Sequence, residues 1–357
     1  MKKENIKIFV GGFIIGIVGI LLLYFGNPGN MGICIACFWR DIAGALGLHR
    51  AGVVQYIRPE IIGIIFGAFL SSILFKDFKG RGGSNPLIRF VLGIFMSIGA
   101  LVFLGCPLRM IFRIAAGDLN AVVGLLGFVF GILIGILFLK KGYSLGKSVK
   151  ESKIVGLIMP ALAVMLLIFL LVKPAFIFFS KEGPGSMHAP IIISLVGGLV
   201  VGIILQRTRI CTGGAFRDLF LIKDMHYLWG VIGIFVAAII GNLILNALGE
   251  GHAHIGFENQ PVAHTMGLWN FLGMTIVGLI AVMLGGCPIR QTVLSAEGDG
   301  DAAVTVFGII IGAAIAHNFG LASSAEGATP NGKIATIIIL CITLIIAFVI
   351  TKHSGEE

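Results

Sequence analysis

The chain has 357 residues, of which 57% are hydrophobic and 12% are charged, and its formal net charge at pH 7 is +9. A soluble globular domain carries about 25% charged residues, so this composition excludes a water-soluble protein. It predicts an all-α polytopic membrane protein whose surroundings are the lipid bilayer, with no nucleic-acid partner. The six cysteines do not form the dense framework of a small secreted protein, so we expect free thiols.

Taken in chain order, the sequence contains ten apolar runs that predict transmembrane helices. They lie near 6–25, 57–75, 90–104, 120–139, 154–172, 190–205, 228–248, 266–285, 302–320 and 335–351. Two of these runs, 90–104 and 190–205, are short for a bilayer, so we expect the cysteines that follow them to lie inside it.

Four segments between the runs are rich in glycine, mixed in polarity and too short to cross. They are predicted to be re-entrant or interfacial pieces, at 30–50, 105–118, 206–222 and 286–300.

The distribution of basic residues predicts the orientation. A cytoplasmic N-terminus places most of the 26 Lys and Arg residues in loops on the cytoplasmic side. With ten spans, the C-terminus is then cytoplasmic as well. We therefore expect a multi-pass protein of the inner (plasma) membrane.

Two pairs of motifs recur along the chain. The run Gly105-Cys106-Pro107-Leu108-Arg109 returns as Gly286-Cys287-Pro288-Ile289-Arg290. Upstream of each copy, a cysteine is followed by an Arg-Asp dipeptide at the same spacing, as Cys34 with Arg40-Asp41 and Cys211 with Arg217-Asp218.

These motifs predict an internal duplication within a single membrane domain, residues 1–357. The first repeat is 6–172 and the second is 187–353. Each repeat holds five helices, and an odd number forces the second repeat to enter the membrane upside down. Inverted repeats are typical of transporters whose substrate pathway lies between the two halves.

The Gly-Cys-Pro sequence has a clear backbone meaning, because proline ends an incoming helix and suits the first turn of a new one. Pro107 and Pro288 therefore predict short helices whose free N–H groups point back at the cysteines and favour an anion. Arg109 and Arg290, two residues further on, are candidates to bind an oxyanion with two hydrogen bonds. The alternative is that the cysteines are small apolar packing residues.

Other readings of these segments stay open at this point. Cys34 and Cys37, together with Cys106, are candidates for a soft-metal site. Arg40 and Arg217 are candidates for internal ion pairs with the aspartates that follow them, or for a part in the substrate pathway.

Two further features also carry alternatives. Asp118 and Asp299 either cap the short helices or titrate, and Cys341 is predicted to be packing. The histidine-containing loop 249–266 is predicted to be a solvated surface loop, with metal binding as the alternative.

The paired Gly-Cys-Pro-(Leu/Ile)-Arg motifs, with the run from Gly29 to Asp41 and the segment Ile210-Cys211-Thr212-Gly213-Gly214, resemble the YeeE/YedE family over nearly the whole chain. The first run looks most like the branch associated with selenium metabolism. The resemblance implies uptake of thiosulfate or a selenium compound through an hourglass-shaped inverted-repeat fold. It also implies that Cys34, Cys106 and Cys287 lie along a narrow central path, with Cys211 as the symmetric fourth.

The expected function is therefore transport, not catalysis, of a small sulfur- or selenium-containing inorganic anion, with no cofactor and no metal. A cytosolic sulfur or selenium carrier is the expected protein partner. The alternatives are a membrane redox protein that carries sulfur as a persulfide, for which Cys37 would be a resolving thiol, and a soft-metal exporter.

Overall fold

The computed structural model describes residues 3–354 and is almost entirely helical. In the N-terminal half, the helices are α1 Lys3–Tyr24, α2 Ile35–Ala45, α3 Pro59–Leu74, α4 Pro86–Phe103, α5 Pro107–Ala115, α6 Leu119–Lys140, α7 Lys153–Gly156 and α8 Ile158–Val172. In the C-terminal half, they are α9 Ile191–Thr208, α10 Thr212–Ile222, α11 His226–Ala247, α12 Gly267–Met283, α13 Pro288–Ala296, α14 Gly300–Asn318 and α15 Pro330–Ser354. The two short strands are β1 Arg81–Gly82 and β2 Val149–Lys150.

The all-α fold class predicted from the sequence is confirmed, and each of the ten apolar runs forms a helix. By length and composition, nine helical stretches of residues 3–354 suffice to cross a membrane, and α3 is a shorter apolar helix. Large apolar side chains stay exposed along α8 and α15, as expected for surfaces that face lipid. The protein is a multi-pass membrane protein.

The expected shortness of runs 90–104 and 190–205 was wrong, because α4 and α9 each have 18 residues. Asn85 caps α4 by accepting a hydrogen bond from the backbone of Ile88, so the helix begins before its apolar run. Helix α9 continues through Gln206, Arg207 and Thr208 after its apolar run has ended. Polar residues at helix ends hid the true lengths.

Long helices of the two halves pack in pairs. Helix α1 packs along α11, α3 along α9, α4 along α14 and α6 along α12. In the two repeats, α1 corresponds to α9, α3 to α11, α4 to α12 and α6 to α14. Replacing every helix by its counterpart turns α1–α11 into α9–α3 and α4–α14 into α12–α6, so the set of pairs is unchanged. Glycines allow the close approach: a Cβ on Gly12 of α1 would overlap the carbonyl oxygen of Gly230 of α11.

Long loops also cross between the halves. The backbone of Arg81, in the loop after α3, donates to the carbonyl oxygen of Gly298, which follows α13. In the same way, Gly256, in the loop after α11, donates to the carbonyl oxygen of Gly117, which follows α5. Each half thus forms a backbone hydrogen bond with the turn that follows the Gly-Cys-Pro motif of the other half. The antiparallel pair β1–β2 additionally ties the basic linker 140–153 to the loop after α3.

Candidate functional site

Each of the four repeated cysteines is the N-cap of a short helix. Cys34 caps α2, Cys106 caps α5, Cys211 caps α10 and Cys287 caps α13. All four have extended backbone and are at most 5% exposed. The prediction that new helices begin at Pro107 and Pro288 is confirmed.

The N-terminal thiol pair consists of Cys34 and Cys106, whose side chains are close neighbours. Cys34 Sγ accepts a hydrogen bond from the backbone N–H of Cys37 at 3.4 Å, as an N-cap side chain does. The extra thiol of Cys37 lies 3.6 Å from Nη1 of Arg109. One half of the protein thus brings two helix N-termini and three thiols together.

The C-terminal thiol pair consists of Cys211 and Cys287, whose Sγ atoms are 3.3 Å apart. Cys211 Sγ accepts from the backbone N–H of Gly214 at 3.4 Å and lies 3.5 Å from the backbone N–H of Cys287. The same pairing of two N-cap cysteines therefore occurs in both halves, although the pairs come from sequence positions more than 70 residues apart.

The four short helices form one cluster. Helix α2 contacts α13, and α5 contacts α10. Between α2 and α13, the indole N–H of Trp39 donates to the hydroxyl of Thr292 at 3.1 Å, and both side chains are fully buried. Sequence analysis missed this contact, because nothing in either segment links residues 253 positions apart.

The glycine of each motif leaves space for the arginine four residues later. A Cβ on Gly105 would lie 2.9 Å from Cδ of Arg109, and a Cβ on Gly286 would lie 2.8 Å from Cγ of Arg290. The motif therefore folds each arginine back over its own helix start.

The two arginines then differ in their partners. Arg109 is fully buried and donates to three backbone carbonyl oxygens, those of Asn30, Leu104 and Val262, at 2.9, 2.6 and 3.2 Å. Arg290 is partly exposed, and its contact is a weaker one with Glu297 at 3.4 Å. Arg109 holds three segments together, whereas Arg290 keeps donors for another partner.

The Arg-Asp dipeptides form the ion pairs that the sequence suggested. Arg40 binds Asp41 at 2.7 Å, and the other carboxylate oxygen of Asp41 accepts from Arg58 at 2.7 Å. Arg217 binds Asp218 at 2.7 Å. The first arrangement is a buried triad, so α2 is fixed to the start of α3.

Asp118 and Asp299 cap the long helices that follow the motifs, not the short ones. Asp118 accepts from the backbone of Asn120 and binds Arg113 at 2.6 Å. Asp299 accepts from the backbone of Ala302. Both carboxylates serve helix starts.

The loop 249–266 is mostly exposed over 249–259, as its polarity predicted, but its C-terminal part packs on the other half. His264 is 1% exposed and its Nε2 lies 2.8 Å from the carbonyl oxygen of Val102. Gln260 accepts from Asn30, and Val262 accepts from Arg109. The loop thus contacts the other half through the side chains of Gln260 and His264 and the backbone of Val262. Cys341 was also misjudged, since it is exposed on α15.

Two polar residues that bond each other, Asn27 and Glu60, escaped sequence analysis. Glu60 is 1% exposed at the start of α3, and it accepts a hydrogen bond from Asn27 at 2.9 Å. An acidic residue inside an apolar run was the available signal. In residues 3–354, no group of three or more His, Cys, Asp or Glu side chains is placed to hold a metal ion.

Comparison with known proteins agrees with this geometry. A family model described as sulphur transport matches residues 1–107 and 207–354, which include all four N-cap cysteines. The chain is also 36% identical over 104 residues to the thiosulfate transporter TsuA of Spirochaeta thermophila. That segment spans 29% of this chain and 29% of the relative. Because the family model covers well over half of its residues, the chain belongs to the sulphur transport family, the YeeE/YedE family that its motifs resemble.

Proposed function

We propose that this protein takes up a small sulfur- or selenium-containing inorganic anion, such as thiosulfate or selenite, across the inner membrane. The pathway passes the thiols of Cys34, Cys106, Cys211 and Cys287. The observation that carries the proposal is the pairing of N-cap cysteines, because each pair sets two thiols beside two helix N-termini. A helix N-terminus favours an anion through its free N–H groups and its dipole.

The chemistry of the ligands suits such an anion. Thiosulfate and selenite combine a soft, polarizable chalcogen with hard oxygens. A neutral thiol is polarizable and donates a weak hydrogen bond, whereas a thiolate would repel the anion. A series of weak sites admits an anion and still releases it, as conduction requires.

Arg290 and Arg217 each bond a single carboxylate and keep further N–H donors within the described residues. Because Arg290 belongs to the Gly-Cys-Pro motif, we assign it the contact with the anion, while Arg109 positions the loops around the N-terminal thiol pair. Arg40 and Arg217 contribute positive charge near the thiols from within their ion pairs. In this proposal Arg109 positions the loops, Arg290 contacts the anion, and Arg40 and Arg217 supply supporting positive charge.

We propose that the two halves, 6–172 and 187–353, are related by a two-fold axis in the membrane plane. The exchangeable set of helix pairs supports this arrangement. With both termini cytoplasmic, the N-terminal thiol pair faces outward and the C-terminal pair faces the cytoplasm. Reporter fusions at Lys141 and Gly251 test the topology: cytoplasmic and external signals respectively are expected, and the same side for both would contradict the inversion.

The transport experiment uses the purified protein in proteoliposomes. Labelled thiosulfate, selenite and selenate are offered separately, and uptake is compared with empty vesicles. Uptake of at least one of the three is expected, and competition among them ranks the substrates. Failure of all three, with the protein intact and correctly inserted, would overturn the proposal.

A second candidate is a persulfide-carrying protein, favoured by the 3.3 Å separation of Cys211 and Cys287 Sγ. In such a protein, one of these thiols would attack, as its thiolate, the outer sulfur of thiosulfate, the S–S bond would break and sulfite would leave. The persulfide formed would then pass its outer sulfur to a thiolate of a cytosolic carrier. Mass spectrometry of the protein after exposure to thiosulfate separates the two functions. A persulfide on Cys211 or Cys287 favours the carrier, and unmodified thiols during uptake favour transport.

A further inference from the structure

Glu60 is a buried carboxyl group that forms no salt bridge within the described part of the chain. One oxygen, Oε1, accepts from Asn27 Nδ2 at 2.9 Å. The other, Oε2, is buried and has no hydrogen-bond partner among residues 3–354. A carboxylate in this position is costly unless it is protonated or neutralised.

The groups around Glu60 leave it without a counter-ion. Arg58, two residues earlier, directs its three nitrogens at Asp41 and at the carbonyl oxygens of Met187 and Pro184. The hydroxyl of Tyr56 is buried and unpartnered in the described residues. Across the helix pair, α9 presents the uncharged Gly198 to the backbone of Glu60.

The remaining titratable neighbour is on the segment before α9. His188 stacks on the ring of Tyr56 at 4.1 Å. Partial burial lowers the pKa of His188; the charges of Arg58 and Lys173 add to this shift, and the charge of Glu60 opposes it. The side chain of His188 reaches the protein surface.

Glu60 is linked to the N-terminal thiol pair through Asn27. The amide of Asn27 bridges Glu60 and the backbone N–H of Ala189. Asn27 begins the loop that runs to Cys34, and Asn30 in the same loop accepts from Arg109. A change in the charge of Glu60 therefore acts on the loop that positions Cys34.

The other half has no such group. Gly198 and Gly202 of α9 approach Glu60 and Ile64 of α3. Gly12 and Gly16 of α1 approach Gly230 and Ile234 of α11 in the same register. The counterpart of Glu60 is thus Gly230, so the fold does not need a carboxyl group at this place.

We propose that Glu60 is a proton-binding site that couples inward anion movement to protons. The inference rests on the proposed uptake function. In a membrane that is negative inside, each proton that enters with the anion cancels one of its negative charges. The proton binds Glu60 from the outer side and is released to the cytoplasm as the anion leaves, so charge and atoms balance.

The test uses full-length protein in proteoliposomes with a pH indicator trapped inside. Exchange of labelled for unlabelled thiosulfate, without any gradient, first shows whether the path conducts the anion. An acidic outer medium is then imposed. With one coupled proton, each pH unit raises the accumulation ratio of the wild type by up to about tenfold, and the lumen acidifies with uptake.

The informative variant is Glu60→Gln, which keeps an acceptor for Asn27 but does not titrate. It is expected to retain exchange and to lose both the effect of the pH gradient and luminal acidification. Glu182→Gln, on the exposed loop before α9, is the matched control and is expected to keep both.

Several outcomes would overturn the inference. One is wild-type accumulation that ignores the pH gradient without acidifying the lumen, which decides the matter even if Glu60→Gln fails to fold. Another is full proton coupling in Glu60→Gln, or loss of coupling in Glu182→Gln. Absence of exchange of thiosulfate by the wild type, and of selenite and selenate offered in its place, overturns the proposed function and this inference with it, whereas exchange without proton movement overturns the inference alone.

Discussion

The two halves of the protein carry the same motifs in different surroundings. In the N-terminal half, the Arg40–Asp41 pair is 3% and 0% exposed and is joined by Arg58. In the C-terminal half, the equivalent Arg217–Asp218 pair is 28% and 12% exposed. A repeated sequence therefore does not imply a repeated environment, because residues outside the repeated motifs, such as Arg58, differ between the halves.

The arginines of the Gly-Cys-Pro motifs show the same contrast. Arg109 is held by carbonyl oxygens from three segments, one of them supplied by loop 249–266 of the other half. Arg290 has a single longer contact with Glu297. The arginine of the N-terminal motif is thus held by several segments, and the arginine of the C-terminal motif makes fewer contacts within the described residues.

The largest expected effect tests what the halves share. Replacing Cys106 or Cys287 by Ala should lower uptake at least about tenfold, since a loss of only ~1.4 kcal/mol is a factor of ten. A methyl group neither donates to the anion nor matches the polarizability of sulfur. Initial uptake rates in proteoliposomes at equal protein content provide the measurement.

The control for these variants is Cys341→Ala, because Cys341 lies exposed on α15, away from the motifs. It should transport at the wild-type rate. Normal uptake by both Cys106→Ala and Cys287→Ala would mean that the cysteines are packing residues.

The second prediction contrasts the ion pairs. Asp41→Asn removes the only carboxylate between two buried guanidinium groups, so we expect a loss of about 3–5 kcal/mol in stability. Asp218→Asn breaks a partly exposed pair and should cost about 0–1 kcal/mol. Thermal unfolding in detergent compares the two variants. Equal losses of stability would show that the difference in burial between the two ion pairs does not affect stability.

The third prediction separates the motif arginines. Arg109→Lys leaves buried carbonyl oxygens without donors, at about 1–3 kcal/mol each, so membrane abundance should fall. Arg290→Lys should keep normal abundance and lose uptake by a few-fold, because lysine lacks the planar fork that binds an oxyanion. Immunoblots and uptake rates from the same membranes measure both, and the reverse pattern would exchange the two roles.

Much of this arrangement was predictable from local sequence. Apolar runs gave the helices, and proline after cysteine predicted the helix starts at Pro107 and Pro288, because both signals act within a few residues. The repeat of Cys34 and Cys211 with their Arg-Asp dipeptides likewise predicted ion pairs that the structure contains.

What local sequence did not reveal depends on distant contacts. The burial of His264 requires Val102, which is 162 residues away, and the anchoring of Arg109 requires Val262. A histidine in a polar loop is typical of solvated surface, and only the packing of one half on the other buries His264. Helix ends were missed for a related reason, since capping and polar final turns lie outside the apolar runs.

The two thiol pairs are proposed to lie along one path and to face opposite sides of the membrane. The most direct measurement is labelling by a membrane-impermeant thiol reagent, applied from each side in turn, with and without thiosulfate. External reagent should modify Cys34 and Cys106 before Cys287, internal reagent should show the reverse order, and thiosulfate should slow both reactions. Labelling of both pairs from the same side, or rates that thiosulfate leaves unchanged, would contradict the account.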